Sequence, residues 1–456
     1  MWTPVLDTKQ HGGKSKALLR ALSQAIENGE LSFGERLPPQ RDLAHALNLS
    51  FQTVNTAYRE AQMAGLIQSV VGRGSFVNAR GSSGTGSFIL APGPGDQIDL
   101  SVTFLAHHPD LDRMFHETIS SISQERSPAW MYQSRPVAGA HAHVAAGLDW
   151  LRGMNAGATM DRLFIVNGAT HGVFLALSAV AKAGDTVLTE NLTENGTIGA
   201  AHILGLELHG VESDEQGIIP EALEEACRRH RRVAALVWVP TFGNPTAHLA
   251  GPRRREQIAE IADRYDIAVI EDEVYKPLVD ADLPAITTML PKKGFFTTSF
   301  TKSVMTGLRV GYLVTPGPYT YRVASAMRCT TWSCAPLMSE LATRWLADGD
   351  IDDIIRIRRT EAVARQELVS KYLEKHVRGS HPLAPYCWLK IPEGWTETSL
   401  AAELQERKIL INTSAPFAID PDAEPGIRVS LSGAPDRQTL ERALTIIRDT
   451  FEKLPI

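Results

Sequence analysis

The sequence TTSFTKSVMTGLRVGYL, residues 297–313, decides the fold of most of the chain. It begins as an apolar strand, and Lys302 follows that strand with Ser299 before it and Arg309 after it. A lysine that forms a Schiff base needs a rigid position facing an aldehyde, and a hydroxyl beside an arginine can hold a phosphate dianion. A lone lysine after a strand usually lies at the surface. The serine, the arginine and the returning GLRVGY stretch argue against that alternative here.

Two other segments carry groups that a pyridoxal ring requires. In VIEDEVY, residues 269–275, Asp272 at a strand end can pair with the pyridinium nitrogen and keep it protonated. Tyr275 follows closely enough to reach the 3'-oxygen of the ring, and Asn244 in FGNPTAH can donate to the same oxygen. Taken alone, Asp272 could be a helix N-cap, and the Asn-Pro pair could be an ordinary turn.

A glycine turn joins a buried strand to a helix in LFIVNGATHGV, residues 163–173. Gly168, Ala169 and Thr170 can offer backbone N–H groups to a phosphate at the start of that helix. By itself this would be an ordinary strand-to-helix connection. The motifs follow in the order phosphate loop, Asn-Pro, Asp-x-x-Tyr, Ser-x-x-Lys and Gly-x-Arg, which together predict pyridoxal 5'-phosphate bound through Lys302.

These motifs, in this order, resemble those of fold-type I aminotransferases over residues 99–456. The resemblance implies that Arg428, in GIRVSLSG, grips the carboxylate of a substrate or effector with a bidentate fork. The alternative is an arginine at a strand end in a surface ion pair. The resemblance also implies that Tyr132, in WMYQSRPVAGA, reaches the phosphate in a neighbouring subunit.

The segment TVLTENLTENGT departs from that family, which typically reads Glu-x-Pro-Thr-Tyr and stacks the aromatic ring on the cofactor. Leu192 stands in place of the proline and Glu194 in place of the tyrosine. Losing such stacking would remove about 0.5–1.5 kcal/mol, and a carboxylate near the ring would alter its electronics. His171 is the nearest substitute in the sequence, and it could equally be a packed group behind the site.

Apolar runs suited to buried strands alternate with helical patterns through the body of the chain. These runs lie at 163–166, 186–189, 233–239, 267–270, 295–300 and 309–314. The alternation predicts an α/β fold with a large, mostly parallel, doubly wound domain over 99–335. A long helical tract over 337–376 and short strands near 386–391 and 426–431 predict a smaller α/β domain over 336–456.

The first 78 residues have a different, mainly helical pattern. Three apolar helix faces are carried by Leu18, Leu22 and Ile26, by Leu43, Ala44 and Leu47, and by Val54, Ala57, Tyr58 and Ala61. Pro39 suits the first turn of the second helix, and Ser50 suits the N-cap of the third. The tight turn between these two helices predicts a helix-turn-helix. The run LIQSVVGRGSFV then predicts a hairpin with Arg73 at its tip.

Residues 16–78 resemble the winged helix-turn-helix of the GntR superfamily, most clearly through ERLPPQRDLAHALNLSFQTVNTAYREAQMAGL. The resemblance implies a DNA-binding domain over 1–78 whose third helix enters the major groove and whose hairpin approaches the minor groove. The positions that contact DNA in that family are held here by Arg41, Ser50, Thr53 and Arg73, and Gln52 and Asn55 are candidates for base edges. The alternative is a winged helix used only for protein contacts.

Phe51 is the departure within this domain, because the family commonly has an arginine directly after the serine. A phosphate contact would then be missing. The phenyl ring could instead meet a thymine methyl group or pack inward, and the sequence leaves both open.

Charge is divided unevenly along the chain, with a net charge of +3 over residues 1–80 and −9 over the remainder. This indicates a basic module attached to an acidic body. The predicted linker, 79–98, contains the stretch 81–97, which is dense in Gly, Ser and Pro and whose 17 residues could span roughly 55–60 Å when fully extended. No run approaches the roughly 18 apolar residues of a membrane span, and no signal segment is evident, so we expect a cytoplasmic protein. The four cysteines lack metal-site spacing, so we expect no metal.

A GntR-type module joined to an aminotransferase-like body resembles the MocR-type transcription regulators from end to end. The resemblance implies a homodimer, often head-to-tail and domain-swapped, with each N-terminal module reaching across to its partner and with operator DNA and a small amino compound as partners. The body could sense that compound, could measure the supply of pyridoxal phosphate, or could be an active aminotransferase with an attached DNA-binding module. Glu194 favours the sensor, because the aromatic of the working enzymes is absent.

Overall fold

The computed structural model describes residues 2–4, 6, 13–27, 30–31, 35–63, 66–70, 74–77, 97–125, 131, 136–230, 232–279, 282–420 and 423–453. Contacts group the chain into two compact units, Met1–Asp96 and Gln97–Ile456. We call them the N-terminal unit and the body. The boundary between them falls within the predicted linker.

Three helices build the N-terminal unit: α1 (Gly13–Glu27), α2 (Gln40–Ala46) and α3 (Phe51–Met63). Apolar side chains at helical spacing face a shared core, as the sequence predicts. The fully buried members include Leu18, Leu22, Leu43, Val54, Ala57, Tyr58 and Ala61. The predicted set of three helices is therefore confirmed.

The turn between α2 and α3 is fixed by local bonds. Ser50 Oγ accepts the backbone N–H of Thr53 at 3.1 Å, which is the N-cap predicted from the sequence. Asn48 adopts a positive φ of 50° and closes the end of α2. The buried hydroxyl of Tyr58 donates to the carbonyl of Pro38 at 2.9 Å and ties α3 to the chain that enters α2.

Strands β1 (Ile67–Val70) and β2 (Gly74–Val77) form the predicted antiparallel hairpin after α3. The sequence did not indicate a third stretch of extended chain beside it. Leu37 donates its N–H to Ser75, and Val77 donates to Glu35, so residues 35–37 extend the small sheet.

The described strands of the body are β3 (Ile98–Asp99), β4 (Leu163–Val166), β5 (Thr186–Glu190), β6 (Glu207–Val211), β7 (Ser213–Asp214), β8 (Gly217–Ile218), β9 (Val233–Trp238), β10 (Ala268–Asp272), β11 (Gly294–Ser299), β12 (Gly311–Val314), β13 (Val377–Gly379), β14 (Tyr386–Leu389), β15 (Ile409–Leu410), β16 (Asn412–Thr413) and β17 (Ile427–Ser430). Seven of them form one sheet in the order β4-β12-β11-β10-β9-β5-β6. Among these, β12 runs antiparallel to both of its neighbours, and the pairs β11-β10, β10-β9, β9-β5 and β5-β6 are parallel. The predicted mostly parallel sheet is confirmed.

Helices connect these strands and cover both faces of the sheet, which is why the sequences of the central strands are largely apolar. They are α4 (Pro109–Ser123), α5 (His141–Arg152), α6 (Ala169–Val180), α7 (Asn195–Leu204), α8 (Pro220–Arg229), α9 (Pro252–Arg264), α10 (Ile286–Met289), α11 (Thr320–Thr330), α12 (Pro336–Ala347), α13 (Asp350–Leu373), α14 (Glu397–Glu406) and α15 (Arg437–Phe451). Separate apolar clusters lie on the two faces of the large sheet, one around α6 and the other around α8 and α9.

The helical tract predicted over 337–376 is confirmed, and it consists of two helices, α12 and α13. Gly349 has a φ of 80° and precedes the first residue of α13. This left-handed conformation suits glycine and breaks the helical path between α12 and α13. Helical periodicity continues on both sides of the break, which is why the pattern alone concealed it.

A second, four-stranded sheet has the order β13-β14-β17-β16 and packs with α13, α14 and α15 around an apolar cluster. The first strand of the body, β3, pairs in parallel with β15, and Leu100 lies in this same cluster. The start of the body therefore packs with its C-terminal part. The division into domains at residue 335 stays a prediction.

Within the described residues, no helix is both long enough and apolar enough to cross a membrane.

Candidate functional site

Lys302 lies just beyond the end of β11, and its Nζ donates to the carbonyl of Thr103 at 2.7 Å. Burial lowers the pKa of its ammonium group to about 8, and the positive charges of Arg428 and Arg309 add to this effect. An amine with such a pKa is partly neutral at physiological pH. A partly neutral amine suits the predicted role of Lys302 as a nucleophile toward an aldehyde, which stays a prediction.

Asp272 is the last residue of β10, in the strand next to β11, and its side chain is almost completely buried. Its Oδ1 accepts the backbone N–H of Val274 at 3.1 Å. Burial raises the pKa of Asp272 well above its usual value, and the negative charge of Glu194 raises it further. A cationic N–H group placed beside this carboxyl would stabilise its ionised form.

A network of buried ion pairs and hydrogen bonds anchors the residues at the end of β10. Arg255 of α9 donates to Glu271 at 3.0 Å, to Thr241 at 2.8 Å, and also to Glu273, so the residues on either side of Asp272 are both anchored. All three charged groups are fully buried. The network fixes the backbone from which Asp272 projects.

The residues predicted to hold a phosphate meet at the start of α6. Gly168 has a φ of 86° and precedes the first helical residue, Ala169. A Cβ atom at Gly168 would lie 2.8 Å from Nη2 of Arg309, and one at Gly311 would lie 3.0 Å from Cβ of Ser299. The glycines thus let the loop, Arg309 and Ser299 come close together, with the N-terminus of α6 beside them.

Arg428 lies on β17 and is almost completely buried. It donates to Oδ1 of Asn244 at 2.7 Å and to the carbonyl of Ser101, and its guanidinium carbon lies 4.8 Å from the ring centroid of Phe417. Its Nε has no hydrogen-bond partner within the described part of the chain. The surface ion pair considered as the alternative is therefore wrong, because Arg428 is neither exposed nor paired with a described carboxylate.

Tyr275 and Asn244 lie on the loops that follow β10 and β9. Tyr275 is buried, and burial raises the pKa of its hydroxyl. Its ring packs edge-on against Tyr386, with centroids 5.7 Å apart. Asn244 uses its amide oxygen for Arg428, a bond that leaves its amide N–H groups available to a ligand.

The third helix of the N-terminal unit exposes polar side chains beside its buried face. Gln52 is exposed, and Thr53 and Asn55 are partly exposed. Phe51 is 48% exposed, and the guanidinium of Arg41 lies 6.0 Å from its ring centroid. The inward packing considered for Phe51 is therefore wrong. Its ring stands at the surface with the predicted DNA-contacting residues.

Both parts of the chain match known protein families. Residues 137–447 match the family described as aminotransferase class I and II, and residues 14–77 match the gntR family of bacterial regulatory proteins. The chain belongs to the aminotransferase class I and II family. The predicted architecture, a GntR-type module followed by an aminotransferase-like body, is confirmed.

Relatives that align with nearly the whole chain carry the names of regulators. The HTH-type transcriptional regulator YdeF of Bacillus subtilis is 26% identical over 99% of this chain and 97% of its own length. The mitochondrial kynurenine/alpha-aminoadipate aminotransferase of Bos taurus is 26% identical over only 63% of this chain and 74% of its own. This difference in coverage favours the prediction of a regulator over that of a simple aminotransferase.

Solved structures confirm the fold of this aminotransferase-family chain. LysN, the alpha-aminoadipate aminotransferase of Thermus thermophilus, aligns with a TM-score of 0.72 at 22% identity, over 87% of this chain and 98% of its own. An archaeal alanine:glyoxylate aminotransferase aligns with the same TM-score at 21% identity, over 78% and 91%.

Glu194, which stands where the aminotransferase family typically has an aromatic, is the N-cap of α7. Its carboxylate accepts the backbone N–H groups of Gly196 at 3.0 Å and Thr197 at 2.9 Å. Its charge also acts on the pKa values of Asp272 and Lys302, so the carboxylate lies within their electrostatic reach. The sequence located this residue in the site but did not reveal its capping role.

Leu192, which replaces the proline of the family pattern, and His171, the substitute considered for the missing aromatic, both contact neighbouring side chains. Leu192 is buried against Trp388 and Phe417. His171 accepts the N–H of Asn167 at Nδ1, and its Nε2 lies 3.1 Å from the hydroxyl of Thr330. Both ring nitrogens are therefore used in packing at the start of α6, which agrees with the interpretation of His171 as a group behind the site.

The sequence did not identify two residues that touch the site, Ser101 and Thr103. Their backbone carbonyls accept hydrogen bonds from Arg428 and Lys302. Such acceptors leave no signature in a sequence, because every residue has a carbonyl. Two predicted residues, Tyr132 at a subunit interface and Arg73 at the hairpin tip, lie outside the described residues.

Proposed function

We propose that this chain is a transcription regulator that binds operator DNA through its N-terminal unit and senses an amino compound through pyridoxal 5'-phosphate in its body. The observation that carries the proposal is that Lys302 lies within electrostatic reach of both Asp272 and Arg428, a group of residues here called the Lys302 pocket, on a chain with a GntR-type module. The charges of the three groups act on one another, directly or through Glu194.

The pocket fits the cofactor at three points. The N-terminus of α6 with Ser299 and Arg309 would hold the phosphate, because the missing side chain at Gly168 lets Arg309 approach the start of α6. Asp272 would hold the proton on the ring nitrogen, and that cationic N–H would give the buried carboxyl a partner that stabilises its charge. When bound, the cofactor supplies an aldehyde for amines and an electron-withdrawing ring. Tyr275 and Asn244 would donate to the ring 3'-oxygen.

Arg428 is suited to the carboxylate of the effector. It is buried, its present acceptors are one carbonyl and one amide oxygen, and its Nε is free of hydrogen bonds to described residues. A buried guanidinium is stabilised far more by a carboxylate than by neutral acceptors. We therefore propose that the effector is an amino acid or a similar compound with both an amine and a carboxylate.

Effector binding would also loosen the segment that leads to the linker. Lys302 and Arg428 now donate to the carbonyls of Thr103 and Ser101, which follow the linker within a few residues. A cofactor on Lys302 and a carboxylate on Arg428 compete for these same N–H groups. A ligand can change the protein only through such differential contacts, so we propose that segment 97–103 passes the signal toward the N-terminal unit.

DNA binding is proposed through α3 and the hairpin. Gln52 and Asn55 would meet base edges in the major groove, with phosphate contacts from Arg41, Ser50 and Thr53 and a minor-groove contact from Arg73. Dimeric helix-turn-helix proteins bind paired half-sites, which suits a homodimer, domain-swapped in this proposal, that presents two N-terminal units.

The alternative is an active aminotransferase with an attached DNA-binding module. The presence of Lys302, Asp272 and Arg428 together favours it, whereas Glu194 in place of the aromatic favours the sensor. Incubation with a panel of amino acids and a keto acid acceptor separates the two functions. We expect changes in the cofactor spectrum with little or no steady turnover. Rapid multiple turnover would overturn the sensor.

Two further measurements test the parts of the proposal separately. Lys302→Ala should abolish the visible absorbance of the covalently held cofactor while the circular dichroism of the chain stays unchanged. Specific, salt-sensitive binding to the promoter beside its own gene should be weakened by Arg41→Ala or Arg73→Ala. Retained absorbance would refute the lysine assignment, and unaffected DNA binding by both variants would refute the groove and hairpin assignment.

A further inference from the structure

The body has a second open cleft, of about 550 Å³, whose lining includes none of the residues proposed for the cofactor. It lies between the segment before α4, one face of α13 and the start of α15. Its charged and titratable lining residues are His107, His108, Arg356, Arg358, Glu361, Arg365, Asp436 and Arg437. Four arginines thus face two carboxylates.

Both carboxylates of this cleft are already engaged. Glu361 accepts from Arg365 at 2.7 Å and from Arg437 at 2.6 Å, so one carboxylate serves two guanidinium groups. Asp436 caps α15 by accepting the N–H of Thr439 at 2.7 Å. Arg356 pairs with Asp353 on the same helix, so three of the four arginines have a carboxylate partner among the described residues.

Arg358 is the group whose charge is left without a partner. It is only 8% exposed, and it donates to the carbonyls of Ala106 and Val304. Within the described residues its Nε has no hydrogen-bond partner, and no carboxylate lies within ion-pair distance of its guanidinium. Burial, followed by the charge of Arg365, lowers the pKa of Arg358 to about 10. A buried guanidinium without a counter-ion is destabilising, and an anion would reverse that cost.

We propose that this cleft binds a small molecule through a phosphoryl or carboxylate group, with Arg358 as the buried anchor and Arg437 at the rim. The planar arginine fork suits both kinds of oxyanion. The remaining volume of the cleft accommodates more than an isolated ion, so the group belongs to a larger molecule. This site is separate from the cofactor pocket and does not rest on the proposed function.

Arg358 also places the cleft beside the Lys302 pocket. Val304 follows Lys302 by two residues, and Ala106 follows Thr103 by three. The two carbonyls held by Arg358 thus belong to the two segments that the bond from Lys302 to Thr103 joins. A ligand at the cleft contacts the arginine that holds both segments.

Isothermal titration calorimetry tests the site directly. The full chain is loaded with pyridoxal phosphate, freed of excess, and titrated at constant ionic strength with inorganic phosphate and, separately, with malonate. Prior loading fills any phosphate position near Arg309. We expect one saturable site per chain, and the tighter of the two probes identifies the phosphoryl or the carboxylate group as the natural one.

Three variants locate that binding. Arg437→Gln should weaken it roughly tenfold, as expected for a lost charge-assisted contact. Glu361→Gln should tighten it, because Arg365 and Arg437 are released from their shared carboxylate. Arg442→Gln removes the same charge from an exposed position on α15 outside the cleft and should change nothing. Absence of saturable binding, or equal effects of the Arg437 and Arg442 variants, would overturn the proposal. A missing cofactor spectrum with saturable anion binding would instead refute the cofactor assignment alone.

Discussion

Replacing Arg255 with Met should destabilise the body more than replacing any exposed arginine does. The guanidinium is fully buried and donates to Glu271, Glu273, Thr241 and the carbonyl of Ala250. Removing it leaves two carboxylates buried without their cation. Breaking a buried ion pair from one side typically destabilises a protein by about 3–5 kcal/mol, so we expect a loss in that range.

Urea unfolding followed by the fluorescence of buried tryptophans such as Trp238 measures this loss. Arg253→Met is the matched control, because Arg253 is exposed on the same helix and should change the free energy of unfolding by no more than about 0.5 kcal/mol. The triple variant with Arg255→Met, Glu271→Gln and Glu273→Gln should regain much of the loss, since it removes the uncompensated charges. A single variant no worse than the Arg253 control would refute the reasoning.

The loss should also depend on pH, with a sign that follows from the carboxylates. In the native chain burial raises the pKa of Glu271 to about 8, whereas Arg255 holds the pKa of Glu273 below its usual value. Without Arg255 both folded-state pKa values rise above the unfolded one, so the folded variant binds more protons than the unfolded chain. Its stability therefore falls as pH rises through that window. We expect the deficit of Arg255→Met to be larger at pH 8 than at pH 5.

Three other predictions concern the site and the DNA-binding face. In the cofactor-free protein, competitive labelling with mass spectrometry should show Lys302 half-reactive at pH about 8, whereas an ordinary lysine titrates near about 10.4; half-reactivity near the ordinary value would contradict the burial argument. Glu194→Ala should remove the cap of α7 and lower the free energy of unfolding by about 1 kcal/mol, measured by urea unfolding; an unchanged midpoint would show that the cap is dispensable. Phe51→Arg should strengthen DNA binding and steepen its salt dependence by about one released ion, measured by fluorescence anisotropy at several salt concentrations; an unchanged slope would place residue 51 away from the phosphates.

The fold was largely predictable because its signals are local and repeated. Six of the seven strands of the large sheet overlap a predicted apolar run, the exception being β6, and the helices of the N-terminal unit show a clear helical period. The break at Gly349 within the predicted helical tract was not foreseen, because helical periodicity continues on both sides of this one left-handed residue. The pairing of residues 35–37 with β2 was also missed, because a single bridge on a proline-flanked stretch has no periodic pattern.

The candidate site was predictable to the extent that side chains define it. Lys302, Asp272 and Arg428 have distinctive chemistry, and the charges of Asp272 and Arg428 act on Lys302 in the folded chain. Ser101 and Thr103 act through their carbonyls, and the distance between them and Lys302 in the sequence gave no hint of contact. Arg358 was missed for a related reason, since an arginine in a helix is expected to be exposed, and only the structure shows that this one is buried.

Glu194 shows why a departure from a family pattern has to be judged by what the new side chain does. Its two bonds to the start of α7 give the carboxylate a structural use that a tyrosine could not supply, because a tyrosine hydroxyl cannot reach back to its own helix N-terminus. Loss of ring stacking and gain of the cap are each of the order of 1 kcal/mol, so they nearly cancel in stability. The two changes differ, however, in their effect on the charges of the site. The charge of Glu194 raises the pKa values of both Asp272 and Lys302, an electrostatic effect that an uncharged tyrosine in its place would not have.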